Sequence, residues 1–122
     1  MKRSVLLLVV AALIGWLPVP VPAGAHSLLL ASSPSAGATT PGEPGRLTLR
    51  FNNRIEKRLS RVHLVDGRGD RRVLVVMTED QPVDELHASM PALGPGDYRV
   101  EWQVLSTDGH VVNGVFSFRV AR

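Results

Sequence analysis

From position 26 onward, apolar residues recur at every second position rather than at every third or fourth. Leu47, Leu49 and Phe51, for example, alternate with polar residues, as in a strand that buries one face. Short runs rich in glycine, proline and aspartate separate these stretches. The pattern predicts strands at 28–32, 47–51, 62–64, 73–77, 86–90, 98–104 and 113–120.

Many short strands in one small chain favour an all-β, Greek-key β-sandwich of about seven strands over a barrel that encloses a ligand. Trp102 lies in the longest alternating run and is predicted at the centre of the core. Met77 and Met90 share the inward phase of their strands, whereas His63 and His87 lie between inward residues and are expected to face solvent. Residues 33–45 are predicted to form a surface loop.

The first 25 residues differ from the rest and are typical of a secretory signal. Lys2 and Arg3 precede an apolar stretch, and Ala23-Gly24-Ala25 provides small residues for cleavage before His26. A membrane anchor is the alternative, but glycine and prolines interrupt the stretch well short of the roughly 20 residues that span a bilayer. We therefore expect a signal at 1–25 and one domain at 26–122. That domain is expected to be soluble, without a membrane span, and secreted into the periplasm or cell envelope.

Charge and cysteine content narrow the range of partners. The net charge of the full chain is only +3, and the leader contributes two of its basic residues, so charge gives little indication of nucleic-acid binding. The chain has no cysteine. The domain must therefore fold without disulfides, and any metal must bind through nitrogen, oxygen or thioether ligands.

Two features indicate metal chemistry: the histidine at the predicted new N-terminus and the segment Asp108-Gly109-His110 before the last strand. An N-terminal histidine offers an α-amine and an imidazole from one residue, and Gly109 permits the turn that brings Asp108 and His110 together. Such nitrogen and oxygen donors suit copper(II). Each feature also has a plainer interpretation, because Asp-Gly is a common turn dipeptide and a terminal histidine can be incidental.

In combination, these features resemble a known family. The leader ends in Ala25-His26, a Ser-Pro-Ser-Ala-Gly segment follows at 33–37, and the run 98–110 reads YRVEWQVLSTDGH, with Gly114, Phe116 and Phe118 beyond it. Essentially the whole mature chain is similar to the CopC family of periplasmic copper-resistance proteins. The resemblance implies a cupredoxin-like or immunoglobulin-like β-sandwich.

The resemblance also implies a function without catalysis, in which the domain carries or buffers one copper(II) ion. Its ligands would be His26, Asp108 and His110. Some family members hold copper(I) in a methionine-rich loop, but the matching stretch at 52–66 contains no methionine, so the chain looks like the copper(II)-only branch. A CopD-like membrane copper transporter is the implied partner.

Two other functions stay open from the sequence. One is a small oxidative copper enzyme, because lytic polysaccharide monooxygenases also use an N-terminal histidine on a sandwich. Such an enzyme needs an open coordination position and a platform for its substrate, whereas Asp108 would fill a position. The other is a metal-free immunoglobulin-like adhesion or assembly module, in which Asp108-Gly109 is only a turn.

Overall fold

The structure, a computed structural model, describes residues 27–43, 45–78 and 82–122. The predicted signal and His26 lie outside these residues. The described part forms eight strands: β1 Leu29–Ser33, β2 Thr39–Thr40, β3 Gly45–Phe51, β4 Arg61–Val65, β5 Arg71–Val73, β6 Glu85–Met90, β7 Gly96–Leu105 and β8 Val111–Val120. A short 3-10 helix, Lys57–Leu59, precedes β4. No helix among the described residues is long and apolar enough to cross a membrane.

The strands form two sheets, with the orders β1-β3-β6 and β2-β8-β7-β4-β5. The predicted all-β sandwich is therefore confirmed. One strand more than expected is present, because Thr39 and Thr40 pair in parallel with Arg119 and Val120. This pairing places a two-residue strand inside the segment 33–45, which was predicted to be a surface loop.

The core lies between the two sheets and follows the predicted alternation on the longest strands. Leu47 and Leu49 of β3 and Val100 of β7 are fully buried. Trp102 is 7% exposed, and its ring meets Phe51 edge to face at a centroid distance of 5.2 Å. Trp102 thus joins the two sheets at the centre, as predicted.

The predicted strand at 73–77 has the wrong inward face. Val73 and Val75 are 69% and 71% exposed, whereas Leu74 between them is 3% exposed. The chain changes sheets here: the Leu74 amide donates to the Val62 carbonyl of β4, and Val76 then bridges Ala88 of β6. All five residues from 73 to 77 are apolar, so the sequence does not distinguish the two faces of this segment, and the structure turns Leu74 and Val76 toward the core.

Met90 belongs to the core as expected, and Met77 is half-buried. The prediction that His87 faces solvent is wrong, because this residue is only 5% exposed and its Nε2 lies 2.8 Å from a carboxylate oxygen of Glu85. Strand β6 pairs with β3 along one edge. Along its other edge, the Met77 amide donates to the His87 carbonyl, so the strand has a neighbour on each side. His63 is half-buried on the outer face of β4.

Candidate metal site

The candidate site is built on the turn that joins the two longest strands. Strands β7 and β8 pair continuously from Gly96 opposite Val120 to Leu105 opposite Val111. Beyond this ladder, the Ser106 amide donates to the His110 carbonyl at 2.9 Å, and the Gly109 amide donates to the Ser106 carbonyl at 3.0 Å. Residues 106–110 therefore form a turn that its own backbone holds closed.

Gly109 provides the conformation that this turn requires. Its φ of +83° lies in the left-handed region, which glycine adopts without the steric penalty of a Cβ atom. A sharp turn at Gly109, between the two candidate ligands, is what the sequence predicts. The structure confirms that local geometry.

Asp108 and His110 converge across the turn. One carboxylate oxygen of Asp108, Oδ1, accepts the His110 backbone amide at 3.0 Å, and the other, Oδ2, lies 3.0 Å from the imidazole Nδ1 of His110. The imidazole side chain is 67% exposed and the carboxylate is 20% exposed. The aspartate thus orders its own turn and, with the same group, places an oxygen beside an accessible imidazole.

The start of the described chain is fixed to this same turn. Ser27 is fully buried, and its backbone amide donates to the Ser106 hydroxyl at 3.1 Å. The two serine hydroxyls lie 3.2 Å apart. The next amide, that of Leu28, donates to Oδ1 of Asn52 at 2.7 Å. The first two described residues are therefore held by side chains from two distant parts of the chain.

Sequence reasoning missed the roles of Ser27 and Ser106. They are separated by 79 positions, and both are small polar residues of a type that is usually exposed. The only available signal was indirect, since Ser27 follows His26 and Ser106 opens the turn that carries Asp108 and His110. Their burial and mutual hydrogen bonds reveal the connection.

Within the described residues, no group of three or more histidine, aspartate and glutamate side chains could hold a metal ion. Asp108 and His110 are two donors, and tetragonal copper(II) requires more. The further predicted ligand, His26, lies outside the described residues. It is bonded directly to Ser27, the residue that packs against Ser106.

Comparison with known proteins identifies a matching family model and several sequence relatives. Residues 29–121 match the family model described as CopC domain. Protein YobA of Escherichia coli is 30% identical over 98 residues, covering 79% of each protein. The copper transport protein CutJ of Bacillus subtilis is 29% identical over 110 residues, which are 85% of this chain but only 20% of CutJ. This chain therefore spans about a fifth of the length of CutJ.

Solved structures agree with the sequence relatives. The crystal structure of CopC from Methylosinus trichosporium OB3b has a TM-score of 0.70 and 34% identity, covering 78% of this chain and 93% of that one. PcoC, a copper resistance protein from Escherichia coli, has a TM-score of 0.65 at 20% identity and shows the same fold, over 77% of this chain and 99% of its own. The CopC family model matches 93 residues of this chain, and the solved CopC structure shares its β-sandwich fold. This chain therefore belongs to the CopC family.

Proposed function

We propose that this protein binds one copper(II) ion through His26, Asp108 and His110, and that it carries or buffers the ion without catalysis. The observation that carries the proposal is the hydrogen bond from the Ser27 amide to the Ser106 hydroxyl, 3.1 Å long. It holds the residue after His26 against the turn that aligns the other two donors. A carboxylate and an imidazole are already adjacent there.

The donor set suits copper(II). Removal of the leader before His26 gives that residue a free α-amine next to its imidazole, and His110 and Asp108 add a second imidazole and a carboxylate. Copper(II) prefers tetragonal nitrogen and oxygen ligands and stands highest among the common divalent metals in affinity. The ion is the cargo of the protein, so these residues need only bind it and release it.

The proposed location follows from the leader, since cleavage before His26 would occur during export to the periplasm or cell envelope. A copper transport protein, CutJ, is among the relatives, and this chain matches about a fifth of it. We therefore propose a CopD-like membrane copper transporter as the partner that exchanges the ion with this domain.

The accessible imidazole of His110 provides the direct test. His110→Ala should weaken copper(II) binding by more than about 100-fold, because loss of a ligand exceeds the 10–100-fold cost of losing a group that only supports one. The midpoint of thermal unfolding should change little, since this side chain is 67% exposed. Competition titration against a chelator of known affinity measures the first quantity, and circular dichroism measures the second.

His63→Ala is the matched control for this experiment. It also removes one histidine, but from the outer face of β4, where the His63 ring lies 3.4 Å from the Arg71 guanidinium. Its copper affinity should stay within about twofold of the unsubstituted protein. Equal losses in the two variants would show that histidines bind the ion nonspecifically and would reject the site.

Ser106 is predicted to act as a positioning residue. Ser106→Ala removes the hydroxyl that accepts the Ser27 amide, and loss of that buried hydrogen bond should cost about 1–3 kcal/mol of stability. Copper affinity should also fall, by about 10-fold or more, because the chain next to His26 loses its attachment to the turn. Both are measured as for His110→Ala, at a temperature where the variant is fully folded.

A purely structural serine gives a different result. In that case Ser106→Ala lowers the unfolding midpoint, while the folded variant binds copper(II) with unchanged affinity. Ser89→Ala serves as the control, because Ser89 is an exposed serine on β6 of the other sheet. It should alter neither quantity measurably.

A further inference from the structure

The outer face of the five-stranded sheet concentrates positive charge. Strand pairing places Arg61 beside Gln103, and His63 beside Glu101 in the next outward row. An open depression of about 580 Å³ lies over these rows. We call this surface the basic face and define it by six of the residues that line the depression: Arg61, His63, Arg71, Arg99, Glu101 and Gln103.

The single carboxylate of the basic face does not balance its three guanidinium groups. Glu101 is shared, with Oε2 at 3.7 Å from Arg71 and Oε1 at 3.5 Å from Arg99. The side chains of Arg71 and Arg99 are 56% and 52% exposed, so these ion pairs are weak and open to exchange. Arg61 is exposed and adds a further charge, which leaves an excess of two positive charges.

Arginine suits recognition of carboxylates, because its planar guanidinium can donate two parallel hydrogen bonds to one carboxylate. The arginines of the basic face are spread out. Arg61 pairs with Gln103, and Arg99 precedes Gln103 by four residues on β7. At about 3.3 Å per residue, the positions of Gln103 and Arg99 are roughly 13 Å apart. A single small anion cannot span this distance, whereas carboxylates on alternate residues of an extended chain, roughly 6.6 Å apart, can.

We propose that the basic face is a docking site for an acidic, extended segment of a partner protein. The concave surface favours such a segment over a flat lipid bilayer, which would not reach the floor of the depression. Strands β7 and β8 run from this face directly to the turn at 106–110. A docked partner would therefore lie along the ribbon that carries Asp108 and His110. The proposal rests on the charges of the face and does not depend on the metal site.

The test uses the mature protein without metal and a fluorescein-labelled hexaglutamate peptide as the probe. Fluorescence anisotropy at low ionic strength should show saturable binding that weakens steeply with added salt, since exposed charges are screened. The double variant Arg61→Gln with Arg99→Gln should lose roughly tenfold in affinity. Labelled hexaglutamine should not bind.

The matched control is Arg46→Gln with Arg50→Gln, which removes the same charge from exposed positions of β3 in the other sheet. Its affinity for hexaglutamate should stay within about twofold of the parent. Equal losses in both double variants would mean that only net charge matters and would overturn the proposal. Amide spectra of each variant establish that it is folded.

Three further measurements test the location of the docking site and the chemistry of its ligand. In amide spectra, hexaglutamate should shift resonances of β4 and β7 on the basic face, and shifts spread over both sheets would overturn the assignment. Inorganic phosphate at the same charge concentration should compete only weakly. Sedimentation with phosphatidylglycerol vesicles, without binding of hexaglutamate, would instead identify the face as membrane-binding and reject the proposal.

Discussion

One alanine placed before His26 is expected to abolish tight copper(II) binding. The added residue converts the α-amine of His26 into an amide, which no longer offers the same nitrogen donor and cannot close a chelate ring with the imidazole in the same way. We expect the affinity to fall by more than about 100-fold. Titration with copper(II), followed by electron paramagnetic resonance, compares this protein with one in which His26 is the free first residue.

The unextended protein should show one tight site with a nitrogen-rich, tetragonal signal. A protein with one alanine added after Arg122 is the matched control and should behave like the parent. The fold should be unchanged in both, because Ser27 can still donate to Ser106. Equal and weak binding by all three proteins would contradict the N-terminal chelate and leave a β-sandwich whose copper site lies elsewhere.

Trp102→Ala is expected to have the largest effect on stability. Trp102 is buried between the sheets against Phe51, and truncation of a buried aromatic residue to alanine costs about 3–5 kcal/mol. Small domains have only about 5–15 kcal/mol of stability in total, and this chain has no cysteine to add a disulfide. Urea unfolding followed by circular dichroism should show a much lower midpoint or a largely unfolded protein.

Gly114 allows this assignment to be tested without emptying the core. Gly114 lies opposite Trp102 on β8, and a Cβ atom at this position would overlap the indole ring, 2.7 Å from Cε2. Gly114→Ala should therefore destabilise the fold by about 1–3 kcal/mol. Gly45→Ala is the control, because a Cβ atom there meets nothing within 4 Å.

The two substitutions should be strongly coupled. In a Trp102→Ala background the ring that obstructs the Cβ atom is absent, so Gly114→Ala should cost much less there, as a double-mutant cycle measures. Equal costs in both backgrounds would show that the glycine is needed for another reason. If Trp102→Ala does not fold, the same cycle with Trp102→Leu retains the comparison.

The buried faces of β3 and β7 were predictable, because apolar and polar residues alternate along these strands. Val100, Trp102 and Val104 alternate with polar residues, and each lies in the core as expected. At 73–77, by contrast, all five residues are apolar, and the face predicted to be buried was the wrong one. The face buried there depends on contacts with distant strands, since the Leu74 amide bonds to β4 and Val76 bridges β6.

The candidate site combines a local turn, which the sequence predicts, with a contact between distant residues, which it does not. Convergence of Asp108 and His110 follows from their spacing and from Gly109, and it was predictable from three consecutive residues. The attachment of Ser27 to Ser106 joins positions that no local pattern connects. The role of His26 stays a prediction, and the alanine extension tests it.

The burial of Ser27 also has a thermodynamic consequence for the proposed site. Fixing the backbone of one residue costs about 1–2 kcal/mol in conformational entropy. In this fold the turn and Ser27 are already held by hydrogen bonds, so capture of the ion would not have to order the segments that they belong to. A flexible peptide with the same donors would lose the entropy of every residue that links them. Preorganisation would therefore let most of the ligand bond energy appear as affinity.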